Sequence, residues 1–143
     1  MRIIGGRMKN KKLEYSGDPL TRPMKERVRE AVFNLIGPAI KGKHAIDLFA
    51  GTGALGLEAL SRGAVSASFI ERHVPTTKLI RENIKNLEVV EKSQIYAANT
   101  FIWARRMPEQ SALPWVVFCC PPYDFFVSRK EETISLMKQM VEI

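Results

Sequence analysis

The chain has almost no cysteine: two in 143 residues, Cys119 and Cys120, and these are adjacent. Consecutive Cα atoms stand about 3.8 Å apart, short of the usual disulfide span, so no intrachain bridge between them is expected. Histidine is as scarce, with only His44 and His73. Neither stands at a ligand spacing from the cysteines, which argues against the usual zinc designs, and no metal is expected. No apolar run approaches the ~20 residues of a membrane span, and the N-terminus lacks the apolar stretch of a signal peptide. Internal repeats and low-complexity tracts are absent too. A cytoplasmic monomer with no membrane contact is expected.

What is present is an ordinary globular composition, 45% apolar and 26% charged, long enough for one domain with a real core. The net charge of +7 is unevenly distributed. Residues 1–44 hold eleven Lys/Arg against four Asp/Glu, whereas residues 45–143 hold eleven of each. All the excess charge precedes the segment "AIDLFAGTG". Such segregation suggests either a polyanion-binding appendage on a neutral body or a basic surface that serves only solubility.

The opening "MRIIGGRMKNKKLEY" has short apolar runs broken by Gly5-Gly6 and Asn10, a pattern for a small hairpin or extended arm. After the turn-rich "SGDPLTRP", Thr21 can cap a helix with Pro23 in its first turn. Val28, Ala31, Val32, Leu35 and Ile36 follow helical spacing and predict its buried face, with Lys25, Arg27 and Arg29 off that face and Gly37-Pro38 as the stop. From residue 45 the pattern alternates. Strands are expected at 45–49, 67–71, 93–98 and 115–119, with helices near 54–62, 75–87, 101–107 and 130–141. This order predicts an α/β fold, a doubly wound, mostly parallel sheet covered on both faces. Its ligand crevice lies outside the carboxyl ends of the strands, here Asp47–Gly53, Glu71, Asn99 and Cys120–Tyr123.

"DLFAGTGALGLEAL" carries Gly51-x-Gly53-x-x-Gly56 between a strand and a helix, a weak motif strengthened by that context. Glu71, twenty residues after Gly51, can accept from both hydroxyls of a ribose, or is an ordinary strand-end charge. Asp47 sits poorly beside a pyrophosphate and suits a cofactor with cationic groups, such as the ammonium and sulfonium of S-adenosylmethionine. It can equally hold the glycine turn by accepting backbone N–H bonds. Asn99 can bond an adenine edge or cap the following helix.

"DLFAGTGALGLEAL", the strand-end "FIER" and the later "PPY" resemble a class I S-adenosylmethionine-dependent methyltransferase. With "MRIIGG", "TRPMKERVREAVFNLI" and "FAGTGALGLEALSRGA" the chain is similar, from Met1 to about residue 140, to the RsmD type, which methylates the exocyclic N2 of a guanine in small-subunit ribosomal RNA. The resemblance implies cofactor contacts at Asp47, Phe49, Gly51, Gly53, Glu71 and Asn99. It also implies that ribosomal RNA, or the assembling small subunit, meets the basic arm (Arg2, Arg7, Lys9, Lys11, Lys12) and Arg22-Pro23. On that resemblance residues 1–20 are expected to form the arm, and 21–143 a methyltransferase domain without the strands a complete fold of this class adds at its C-terminus.

One position departs from the family pattern. Amino-group methyltransferases carry Asp or Asn before Pro-Pro-Tyr, whose oxygen and the next proline's carbonyl orient the target amine while the aromatic ring stacks on the flipped base. Here that residue is Cys120, a weak acceptor, followed by Pro121 and Tyr123. The alternative function is therefore a cofactor-retaining RNA-binding protein with weak or lost transfer. A covalent role for Cys120 would need a cationic neighbour to lower its pKa, and the sequence offers none.

Overall fold

The computed structural model describes residues 1–17 and 24–142. Strands β1 (His44–Asp47), β2 (Ser66–Glu71), β3 (Ser93–Ala97) and β4 (Trp115–Phe118) form one parallel sheet in the order β3-β2-β1-β4. Each lies within two residues of its expected bounds. Successive residues of a strand face opposite sides, and the apolar residues obey that period. Ala45, Ala67, Phe69 and Phe118 enter one buried cluster, with Leu57 and Ile80 from helices α2 (Ala54–Ser61) and α3 (Val74–Asn86). Ile46 and Ile70 enter the other, with Phe101, Trp103 and Leu136. Those residues come from α4 (Thr100–Arg105) and α6 (Lys130–Glu142), and a short α5 (Phe125–Ser128) precedes α6. Helices on both faces of a parallel sheet are the doubly wound arrangement the alternation predicts.

Helix α1 (Glu26–Ile36) corrects the expected face. Val28 and Leu35 are exposed, whereas Arg29 and Phe33 are buried. Arg29 can turn inward because α2 presents a carboxylate to it: Arg29 Nε donates to Glu58 Oε1 at 3.2 Å, and both side chains are fully buried. A buried charge is tolerable only when paired in this way, so the spacing of apolar residues alone misplaces the face. The start is corrected as well, since Met24 and Lys25 are not helical. Thr21, Arg22 and Pro23 lie outside the described residues.

The N-terminus is a small hairpin, with an antiparallel bridge between Arg2 and Lys12 and main-chain bonds from Ile3 N to Lys11 O and from Leu13 N to Met1 O. Its apolar side chains belong to the core: Ile3 and Leu13 are essentially inaccessible. The N–H groups of Ile4 and Gly5 donate to Glu58 at 3.0 and 2.9 Å, so one carboxylate on α2 holds hairpin, Arg29 and Arg62 together. No described helix is long and apolar enough to cross a membrane.

Candidate active site

Register brings four strand tips together. Asp47 pairs with Phe69 on one side and Phe118 on the other, and Glu71 pairs with Ala97. Beyond the strands the tips remain tied. Leu48 N donates to Phe118 O at 3.0 Å, Ala50 N to Ile70 O at 2.9 Å, and Ala98 N to Glu71 O at 3.1 Å. The Thr100 hydroxyl donates to the Leu48 carbonyl, which fastens the start of α4 to the same edge.

The glycine turn rises from β1 into this crevice. Gly53 has φ 83°, a left-handed conformation that disfavours a side chain. Gly56 has a different constraint: a Cβ there would stand 2.4 Å from the Phe69 ring, so α2 packs on β2 only with glycine. Gly51 N donates to Glu71 Oε1 at 3.0 Å, and His73 N to Glu71 Oε2 at 2.8 Å. Glu71 is thus no free surface charge; each oxygen is anchored by one main-chain donor, with further lone pairs left over.

Asp47 is 1% exposed and accepts Gly56 N through Oδ2 at 3.2 Å. Holding the helix start is the loop-fixing role open to it from the sequence. Among the described residues no Lys or Arg pairs with it. Burial pushes its carboxyl up to about 7, the Gly56 bond pulling down and the Glu71 charge adding to the rise. A buried carboxylate with no cation of its own is the feature a cationic group would complete.

Asn99 caps α4, its Oδ1 accepting from Phe101 N at 2.9 Å and Ile102 N at 3.2 Å. Phe49 packs edge-on against Phe101 and Phe125, with centroids 5.9 and 6.1 Å apart. Phe125 is therefore the anchor of the loop that follows β4, and its N–H also donates to Pro122 O at 2.9 Å. That loop carries Cys120, Pro121 and Tyr123, and Cys120 lies near enough to Asp47 to feel its charge. Tyr123 is 90% exposed, an aromatic ring offered to solvent. The Cys120 thiol is raised above its ordinary pKa, first by burial and then by the Asp47 charge, and Cys119 is raised to about 11. A thiol held protonated is a poor nucleophile, which weighs against a covalent role at Cys120.

The basic residues of the arm divide. Arg2 bonds Asn10 at 2.7 Å and pairs with Glu26 at 3.3 Å, while Arg7, Lys9, Lys11 and Lys12 are exposed without an ion pair among the described residues. Arg22 lies outside those residues. Two rim cations were not anticipated from the sequence: Arg72 and Arg129 lie over Phe125, at 5.9 and 5.1 Å from its centroid. "FIER" shows Arg72 directly after Glu71, the one signal that could have found it.

A four-stranded parallel frame whose carboxyl ends gather a glycine turn, an anchored acid and a proline-tyrosine loop defines a class I methyltransferase, and known proteins agree. A family described as Conserved hypothetical protein 95 matches residues 1–142, and the chain belongs to that family. "Putative rRNA methyltransferase YlbH" of Bacillus subtilis (strain 168) is 41% identical over 142 residues, 99% of this chain and 74% of that protein. "Ribosomal RNA small subunit methyltransferase D" of Escherichia coli (strain K12) is 37% identical over 139 residues, 96% of this chain and 67% of that protein. Among solved structures, "Putative methyltransferase yhhF" from Escherichia coli superposes with a TM-score of 0.78 at 34% identity, covering 96% of this chain and 72% of that one.

Proposed function

We propose that the protein transfers a methyl group from S-adenosylmethionine to the exocyclic N2 of a guanine in ribosomal RNA of the small subunit, in the cytoplasm. The observation that carries the reading is the pairing of Asp47 with Phe118. It aligns a buried acid, without a cationic partner among the described residues, with a residue two positions before the start of Cys120-Pro121-Pro122-Tyr123. Acid for the cofactor and loop for the base thus share one strand-end junction. The names of the relatives, small-subunit methyltransferase D among them, support the RNA as substrate. Those relatives are named as methyltransferases, and their names give no support to the rival reading of a binding protein without transfer.

The residues fit the cofactor. Asp47 would meet its cationic amino-acid end, Glu71 would take ribose hydroxyls on the lone pairs left by Gly51 and His73, and Gly51 and Gly53 would let it approach the backbone. Phe49 and Asn99 would border the adenine. When bound, S-adenosylmethionine supplies an electrophilic methyl group. An exocyclic guanine amine is a weak nucleophile because its lone pair is delocalised into the ring, so orientation is the main work left to the protein. Tyr123 stacks on the flipped base. The Pro121 carbonyl accepts one amine hydrogen, and the Cys120 sulfur weakly holds the other. The surplus proton passes to solvent after transfer, without a strong base. Arg7, Lys9, Lys11, Lys12 and Arg22 meet phosphates.

Labelled S-adenosylmethionine incubated with undermethylated small ribosomal subunits tests the reading. Label is expected in the ribosomal RNA. Binding of both partners without any transfer would instead establish the rival.

A further inference from the structure

Helix α3 buries a polar residue that none of these roles uses. Its inward face runs Thr76, Thr77, Ile80, Asn83, Ile84, and Asn83 is fully buried. A buried carboxamide has to satisfy an acceptor and two donors. Asn83 Oδ1 accepts Glu14 N–H at 2.7 Å, and Nδ2 donates to the carbonyls of Glu14 and Thr52, both at 3.2 Å. Thr52 is the residue between Gly51 and Gly53, and its hydroxyl donates to Met1 Sδ at 3.7 Å. The N-terminal segment therefore touches the glycine turn twice, directly at Met1 and through Asn83 at Glu14.

The Thr52 carbonyl matters because a peptide unit is planar: C=O of Thr52 and N–H of Gly53 lie in one rigid plane and point in opposite directions. With the oxygen held by Asn83, the Gly53 N–H is turned to the Ala50 carbonyl, which it reaches at 2.8 Å. Release the oxygen and the plane can rotate, the more easily because glycine follows it. We propose that Asn83 is a positioning residue for the cofactor, locking the Thr52–Gly53 peptide of the glycine turn while bound to the backbone of Glu14. The N-terminal segment then braces the glycine turn as well as carrying positive charge. This rests on reading that turn as the S-adenosylmethionine site.

Asn83→Ala removes all three bonds. Asn83→Asp keeps the acceptor for Glu14 N–H but turns an oxygen toward both carbonyls. Calorimetry with S-adenosylhomocysteine, with thermal unfolding as the control for folding, is expected to show both variants binding about tenfold more weakly, the loss one or two neutral hydrogen bonds would give. The transfer rate at saturating cofactor should stay near that of the parent, since Asn83 touches no reacting atom. A folded variant of either kind with unchanged affinity would overturn the assignment. Amide exchange on the unsubstituted protein tests the same link without mutation. S-adenosylhomocysteine should slow exchange at Glu14 together with Gly53; protection of Gly53 with none at Glu14 contradicts it. A parent that binds no S-adenosylhomocysteine would overturn the cofactor reading of the turn itself, and this inference with it.

Discussion

Changing pH between 4 and 8 should change the charge of Asp47. The side chain is 1% exposed, has one backbone donor and, among the described residues, no paired cation, and titrates near 7 instead of 3.8. Between those values the native protein holds a proton that the unfolded chain has lost. Folding takes up a proton there, so this group's contribution to stability is intact below about pH 4 and is lost as the pH rises through 7. The slope approaches ~1.4 kcal/mol per pH unit, or on the order of 4 kcal/mol over the interval. Asp47→Asn retains an oxygen for Gly56 N–H and cannot ionise. Urea unfolding of both proteins from pH 5 to 8 should therefore show the Asn variant gaining ~2–3 kcal/mol relative to the parent. A cationic ligand reverses the balance, because it stabilises ionised Asp47. Affinity of the parent for S-adenosylmethionine should rise with pH across neutrality, with proton release on binding, and the Asn variant should lose both effects. Parallel stability profiles for the two proteins would refute the argument, since Asp47 would then be ionised throughout.

Restoring an oxygen acceptor at the amine should act on the rate: Cys120→Asn is expected to raise single-turnover transfer by about two- to tenfold, from a neutral hydrogen bond worth ~0.5–1.5 kcal/mol. Asn is a cleaner replacement than Asp, whose charge would face Asp47, and Cys119→Ala should leave transfer nearly unchanged. Glu71→Ala should weaken S-adenosylmethionine binding by ~1.5–3 kcal/mol in calorimetry, because ribose bonds and the anchor on Gly51 are lost together. Neutralising Arg7, Lys9, Lys11 and Lys12 to Gln should reduce the salt dependence of RNA binding by up to ~3–4 log–log units if all four meet phosphates. Substitution is the right perturbation there, since deleting the hairpin would also strip Ile3 from the core and leave Glu58 without two donors.

The parallel frame was legible because short, nearly continuous apolar runs alternate with segments of helical period, and each signal is local. Asp47, Glu71 and the glycine turn were legible for the same reason: each closes a strand, and strand ends in such a sheet converge. Arg29 was not, because a charge turns inward only if a distant carboxylate meets it, and Glu58 lies 29 residues away. Nor was the depth of the hairpin's burial, since "RIIGG" could equally be a loose arm until α2 offers Glu58 and Ser61 to its backbone. Asn83 was missed although its position carried a signal, a polar residue on the apolar stripe of a helix. Asn99 stood open between two roles, and the structure gives the cap, with the adenine edge left to the proposal.

The central claim is methyl transfer to one exocyclic amine, and the most direct measurement is the identity of the methylated nucleoside. Undermethylated small subunits treated with the protein and isotopically labelled S-adenosylmethionine, then digested to nucleosides and analysed by mass spectrometry, should carry the label as N2-methylguanosine. The label should fall with Tyr123→Ala and rise with Cys120→Asn. Label in any other nucleoside, or none from a protein that binds the cofactor, would contradict the account.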